Sequence, residues 1–405
     1  MADNKDKKVL NVPALRFPEF TEEWEEHYLA EYLDFKNGLN PSANKFGSGI
    51  KFISVMDILN NDFITYDCIR TSVEITPEEQ VAFAVEKGDM LFQRSSETLE
   101  DVGRANVYMD DRPAVFGGFV IRGKKKAEYN PMFFRYLLAS PYARKKVIPM
   151  GAGAQHFNIG QDGLSKVKLH FPILQEQQKI ADLLRLINER ISTQNKIIEK
   201  LETLIKGFVD SIFTANKFPK VPFKEIYVRA GEGGTPATSN PEYYDNGTIP
   251  FIKIDDLQNK YIKTNKDCIT ELGLQKSSAW IVPANSIIYS NGATIGAISI
   301  NLFPVCTKQG ILGVVPKADI NVEFLYYFMT STAFTKAVER IVTEGTMRTA
   351  YLKDINHIPC PVPYPVKQDE IAKMLSTLSE KLENEVIFQM KLQKQKEFLL
   401  SQMFI

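Results

Sequence analysis

The sequence predicts an α+β protein built twice: two similar α/β domains, each a twisted mixed sheet with helices, separated and joined by two long antiparallel coiled-coil helices. Three observations carry this reading. The first is a seam of Ile180, Leu184, Ile187, Ile191, Gln194, Ile198, Leu201, Ile205, Phe208 and Ile212 at alternating spacings of four and three, with no proline between Pro172 and Pro219. The second is that adding 191 to each position gives Ile371, Leu375, Leu378, Leu382, Glu385, Gln389, Leu392, Lys396, Leu399 and Met403, again free of proline and glycine after Pro365. The third is that the segments leading into the two helices match, with Gln177 over Gln368, Ile180 over Ile371 and Leu184 over Leu375. A pseudo-two-fold repeat of about 191 residues follows. A helix of about 38 residues is roughly 57 Å long, so each seam is expected to act as a strut rather than a core element.

The chain divides accordingly into a flexible leader (1–13), a first domain (14–172), a central long helix (173–215), a second domain (216–365) and a C-terminal long helix (366–405). In the first domain, Leu15 to Phe20 and Trp24 open an amphipathic piece ending at Leu33, and a Gly/Asn/Ser loop runs from Asn37 to Gly49. Short strands rich in β-branched and aromatic residues are expected at Ile50–Val55, Val81–Val85, Met90–Phe92, Val115–Phe116 and Phe119–Ile121. Met132 to Val147 reads as one helix, with Pro131 at its start. The small, polar loop Gly151 to Asn158 and an alternating strand through Val167, Leu169 and Phe171 complete the domain.

The second domain repeats the plan. Gly231 to Asn240 reads as its glycine-rich loop, and strands are expected at Ile249–Ile254, Trp280–Val282, Ile287–Tyr289, Ala297–Ile300 and Ile311–Val315. Asn321 and Phe324 stand 191 residues beyond Asn130 and Phe133, which aligns a helix from Val322 to Ile341 with Met132–Val147. Gly345 to Tyr351 takes the place of the first polar loop, and Ile358, Cys360 and Val362 alternate as the last strand. The framework positions agree while the loops differ, which suggests one scaffold presenting two surfaces.

Charge and cysteine usage bound the function. The chain holds 49 basic and 49 acidic residues; residues 1–172 carry 22 against 24 and residues 216–365 carry 15 against 13, so neither domain has the strongly basic balance of a stand-alone nucleic-acid binder. The local basic runs, Arg122 with Lys124, Lys125 and Lys126, and Arg144 with Lys145 and Lys146, read first as solvated faces. Cys68, Cys268, Cys306 and Cys360 are scattered singly, which argues against a disulfide or zinc framework. No apolar run approaches a membrane span and the polar start lacks a signal-peptide pattern, so a cytoplasmic location with no membrane partner is expected.

The layout of Pro172 before Glu176-Gln-Gln-Lys-Ile-Ala, echoed by Pro363 before Lys367-Gln-Asp-Glu-Ile-Ala, resembles the specificity subunit of type I restriction-modification enzymes over nearly the whole chain. Each copy follows a glycine-led polar loop, an Asn158-Ile159 pair and an apolar strand; in the second copy Lys367 and Asp369 replace Glu176 and Gln178, and Tyr351-Leu352 stands in for Asn158-Ile159. The resemblance implies that each domain is a target recognition domain reading one half of a bipartite duplex site, with strut length setting the gap. It implies two modification (methyltransferase) subunits docked on the struts and restriction/translocase subunits in the full complex. S-adenosylmethionine, ATP and Mg are then expected on those partners and no cofactor on this chain.

Arg, Asn and Gln can pair bidentately with base edges in the major groove. Candidate DNA-binding residues are therefore the loop residues Arg94, Ser95, Ser96, Arg104, Gln155, His156 and Asn158 in the first domain. In the second they are Thr235, Ser290, Asn291, Thr294, Lys308, Gln309, Thr346, Arg348 and Tyr351. Catalytic patterns are missing: there is no phosphate-binding loop, no His-Glu-x-x-His and no Asn/Asp-Pro-Pro-Tyr/Phe, and His27, His156, His170 and His357 lie far apart, so no intrinsic catalysis is expected. Two readings remain open at this point, a DNA-reading subunit of a larger enzyme and a non-catalytic protein- or RNA-binding scaffold on a coiled-coil strut. The divergent Arg-, Gln- and Asn-bearing loops on matching frameworks favour the first.

Overall fold

The structure is a computed structural model that describes residues 10–214, 218–292, 294–342 and 348–405. Two compact units emerge, one of Met1–Asn195 with Phe388–Ile405 and one of Lys196–Ile387. Long helices Leu174–Thr214 and Pro365–Gln402 run 41 and 38 residues. Each unit takes one part of each helix: the start of the first with the end of the second, and the reverse.

In the first unit four antiparallel strands lie in the order Leu33–Asn37, Val120–Lys125, Met90–Gln93 and Ala105–Val107. A second sheet pairs Phe46–Ile53 with Ser72–Val73 antiparallel and with Val115–Phe116 parallel. The second unit uses the same order for Tyr227–Glu232, Ile311–Pro316, Ile287–Ser290 and Ile298–Asn301, and adds Tyr261–Ile262 in parallel at the edge. At that edge the first unit has a single parallel bridge, Ile64 to Tyr108. The small sheet is also repeated, with Phe251 opposite Cys306 where Phe52 stands opposite Val115.

Both junctions into the long helices are built from the same bonds. Gln177 Oε1 accepts from the Asn130 N–H (3.0 Å) and its Nε2 donates to the Pro172 carbonyl (2.9 Å). Gln368 does the same with Asn321 (2.9 Å) and Pro363 (2.8 Å). Asn130 reaches on to Gln178, and Asn321 to Asp369. Both glutamines are buried, so an amide that can donate and accept at once is what the position requires. Glu176, also buried, is held by Arg16 through two bonds of 2.7 and 2.8 Å, a pairing the second junction replaces with Lys367 on exposed Glu370.

The struts are also core. Ile180, Leu184, Ile187 and Ile191 pack with Leu392, Leu399, Phe133 and Trp24 in one cluster of the first unit, and Ile371 and Leu375 pack with Val209, Phe213, Phe324 and Phe328 in the second. Ile198, Leu201, Ile205, Leu378 and Leu382 are half-buried. Phe208, however, is exposed: past Ile205 the buried face passes to Val209 and Phe213. An α-helix drifts about 20° per heptad from a strict 3.5 repeat, and here Phe213 stacks edge-on against Phe324 and Phe328.

Other expectations give way locally. Val81 belongs to helix Pro77–Ala82 rather than a strand, because Thr76 and Glu79 form a capping box with Pro77 in the first turn; Val85 makes only a bridge to Ala114. Val55 opens a helix, with Asp57 accepting the Ser54 N–H, and Ile254 opens a 3-10 turn in the same manner through Asp256. Trp280–Val282 is no strand; Val282 only bridges Val305. Asn37, Gly231 and Glu232, expected in loops, end strands.

The helices expected at Met132–Val147 and Val322–Ile341 are each two: Pro131–Ala139 with Pro141–Val147, and Val322–Thr330 with Thr332–Ile341. Fully buried Ser140 and Ser331 sit at the breaks in extended conformation. Each hydroxyl donates 2.6 Å back to the ending helix, at Leu137 and Phe328, and accepts from the starting one, at Ala143 and Phe334.

Candidate nucleic-acid interface

In each unit the strand that lies centrally in the larger sheet runs out into a rim shared by three segments. In the first unit the Arg94 N–H donates to the Phe119 carbonyl (2.8 Å) and the Arg94 carbonyl accepts from Ile159 (2.9 Å). In the second, the Asn291 N–H donates to Gly310 (3.1 Å) and its carbonyl accepts from Ala350 (2.9 Å). Residues 119 and 310, and 159 and 350, are again 191 apart. The second-unit counterpart of Asn158-Ile159 is therefore Thr349-Ala350, not Tyr351-Leu352, and Tyr351 falls beside Gly160 at the head of the next short helix.

Side chains on this common rim diverge. In the first unit Ser95–Ser96 pairs with Phe157–Asn158, and the Ser95 hydroxyl donates to Asn158 Oδ1 at 2.5 Å. Arg94 is half-buried with Nη1 on the Gly118 carbonyl, while Gln155, His156 and Asn158 are exposed. These residues come together; Arg104 is exposed just before the neighbouring strand Ala105–Val107, paired with Asp101 at 2.6 Å. In the second unit Lys308, Gln309, Thr294, Arg348 and Tyr351 are exposed, and the half-buried Thr235 accepts the Gln309 N–H through its hydroxyl.

Ser290 and Asn291 are buried instead. The Asn291 amide donates to Glu232 (3.0 Å) and to the Ala350 carbonyl (3.1 Å), so it braces the rim from beneath and presents nothing to a base edge. Thr346 lies outside the described residues. Arg122 is not on a solvated face either: it is buried, with Nη1 on the Ala84 carbonyl, and of its neighbours Lys124 and Lys125 pair with Glu86 and Glu128.

Sequence reasoning missed the turn Gly117-Gly118-Phe119, the counterpart of Lys308-Gln309-Gly310. Phe119 is 68% exposed beside Arg94, at the mouth of an apolar hollow of about 380 Å³ lined by Leu39, Phe46, Phe52 and Met56. The same 191-residue offset that aligned the helices would have found it. Among the described residues no group of His, Cys, Asp or Glu could hold a metal ion, and no helix is long and apolar enough to cross a membrane.

Residues 21–203 and 220–391 each match the Type I restriction modification DNA specificity domain. The chain belongs to that family. The specificity subunit is 25% identical over 377 residues to the HindI type I restriction enzyme specificity subunit of Haemophilus influenzae, covering 73% of this chain and 80% of that one. It is 32% identical over 164 residues to the MjaIX specificity subunit of Methanocaldococcus jannaschii, covering 40% of this chain and 38% of the relative. It shares its fold with the crystal structure of the type I restriction-modification S subunit from M. genitalium (TM-score 0.57, 16% identity, 97% of this chain and 99% of that one). The role of the specificity subunit is DNA sequence recognition, and specificity subunits are the non-catalytic components of type I systems.

Proposed function

We propose that each unit of this specificity subunit reads one block of a bipartite duplex target. The observation that carries this is the repeated rim, in which one set of backbone bonds holds Arg94, Ser95, Gln155, His156 and Asn158 in one unit and Lys308, Gln309, Thr294, Arg348 and Tyr351 in the other. Two copies of one scaffold with different donors and acceptors suit two unlike base sequences. The long helices set the unread gap and dock two methyltransferase subunits, with restriction/translocase subunits joining in the full complex in the cytoplasm. S-adenosylmethionine, ATP and Mg belong to those partners. Near-zero net charge fits this division, because much of the phosphate neutralisation falls to the other subunits.

The test is selection from a random duplex pool with the full chain and its modification subunit, followed by sequencing of the bound fraction. A split motif, two specified blocks around a gap of fixed length, is the expected result. A bound fraction with no enriched motif, or with one continuous block, overturns the two-reader assignment.

A further inference from the structure

At the root of the first unit's rim is a cavity of about 330 Å³ whose walls include Arg104, Arg135 and Arg144, with Glu100 as the acid among its lining residues. Arg144 Nη2 is satisfied by the carbonyls of Glu100 (2.8 Å) and Val102 (2.7 Å), but its Nη1 is buried with no protein partner. Burial, and next the like charge of Arg104, push the Arg144 guanidinium down to about 10. Arg135 donates through Nε to the Asp62 carbonyl, and Arg104 is held by Asp101 at 2.6 Å. Three guanidiniums around one hollow, with an unused buried donor, make a site short of one anion.

The second unit shows that the fold does not need this cluster. Gln93 N–H donates to the Arg104 carbonyl where Ser290 N–H donates to that of Ala297, and Arg144 N–H donates to Ser140 where Thr335 N–H donates to Ser331. Arg104, Arg135 and Arg144 thus correspond to Ala297, Tyr326 and Thr335, on an unchanged backbone. Position supplies the ligand. Ile148 lines the cavity and the turn Ile148–Met150 leads directly into the exposed loop Gly151–Asn158, while Arg104 follows Gly103, whose N–H donates to the Gln93 carbonyl (2.9 Å). An anion here lies beside whatever the rim reads.

We propose that this cavity is a phosphate site, filled by one backbone diester of the duplex that the first unit reads; the inference rests on the recognition function proposed above. It fixes the duplex on the first unit by a contact the second lacks.

The test uses the full chain with its modification subunit and the wild-type target, comparing wild type, Arg104→Gln and Arg144→Gln. Arg104 is exposed, so its variant keeps the fold even if removing Arg144 loosens the 99–102 turn; melting curves check both. The expected result is roughly ten-fold weaker binding in low salt, irrespective of the sequence of the block, and a salt slope shallower by about 0.9. A scan of single neutral methylphosphonates should then find one linkage that weakens wild type and leaves both variants unaffected. Unchanged slopes in both variants, with no such linkage, overturn the site. Free inorganic phosphate that raises the melting temperature of wild type only, with DNA slopes unchanged, overturns the duplex as its source. Loss of the split motif in wild type would sink the recognition function itself, a result distinct from either.

Discussion

The two units are the same backbone put to two uses, and the difference between them separates what folds the protein from what it recognises. The bonds repeated between the units are made mainly by main chain, or by a side chain bonded to main chain: Gln177 and Gln368 at the junctions, Ser140 and Ser331 at the helix breaks, and the paired rim bonds of residues 94 and 291, with Asn130 on Gln178 and Asn321 on Asp369 the side-chain pair among them. What differs is the side chain that leaves this frame. Arg94 reaches the rim surface where Asn291 turns inward, and Phe119 projects where Gly310 leaves a bare turn. Recognition can drift in such a molecule because the bonds common to both units are not made by the side chains that leave the rim.

The comparison breaks hardest along the long helices. Ile187 is 9% exposed in the core of the first unit, so Ile187→Asp should lower that unit's stability by about 4 kcal/mol through an unpaired buried charge. Leu201 is half-buried outside the second unit's core cluster, and Leu201→Asp should cost about 1 kcal/mol. Denaturant titration of each variant checks this. Similar costs would mean that the seam is a spacer along its whole length, as periodicity alone suggests.

That pair of substitutions also marks where the sequence was legible. The seam, the offset, the strands at Met90–Gln93 and Ile287–Ser290 and the location of both rims could be read because burial leaves a period and duplication leaves a shift. Missed were the features decided by one or two residues. Thr76-Pro77 turned an apolar stretch into a helix, and Ser140 with Pro141 cut a helix in two. Candidate bases-readers fared unevenly for a related reason. Polarity brought Ser290 and Asn291 to notice together with Lys308 and Gln309, yet only the tertiary bond to Ala350 reveals that Asn291 faces in. Arg144 was hidden the same way, inside a run that looked like a solvated helix end.

A sharper comparison comes from the junction glutamines. Gln177→Ala and Gln368→Ala each strand a main-chain donor and a buried carbonyl, which should cost about 2 kcal/mol apiece. Exchange-protection measurements should localise the loss to the first unit for one variant and to the second for the other. Glu substitutions test the chemistry further: a carboxylate can still accept from Asn130 or Asn321 but cannot donate to the proline carbonyl, so Gln177→Glu and Gln368→Glu should be no better than alanine. Full recovery by either would show that the bond to the proline carbonyl contributes nothing.

The smallest difference has a sign that can be reversed. Both helix breaks put a serine before the second helix, but the first unit follows it with Pro141 and the second with Thr332. Proline is well suited to this position, and where the conformation is compatible it stabilises by about 0.4–1 kcal/mol through the unfolded chain. Ser331, at φ −68° and ψ 151°, is already in the conformation that a following proline favours. What opposes the change is Asp210, which accepts both the Thr332 N–H and its hydroxyl at 2.8 Å. Charge-assisted bonds at this half-buried site outweigh the entropic gain, so Thr332→Pro should destabilise by about 1 kcal/mol. In an Asp210→Ala background those bonds are already gone, and the same Thr332→Pro should stabilise instead. A double-mutant cycle by chemical denaturation reads both signs; destabilisation of equal size in the two backgrounds would mean that the second helix starts with a backbone geometry proline cannot share.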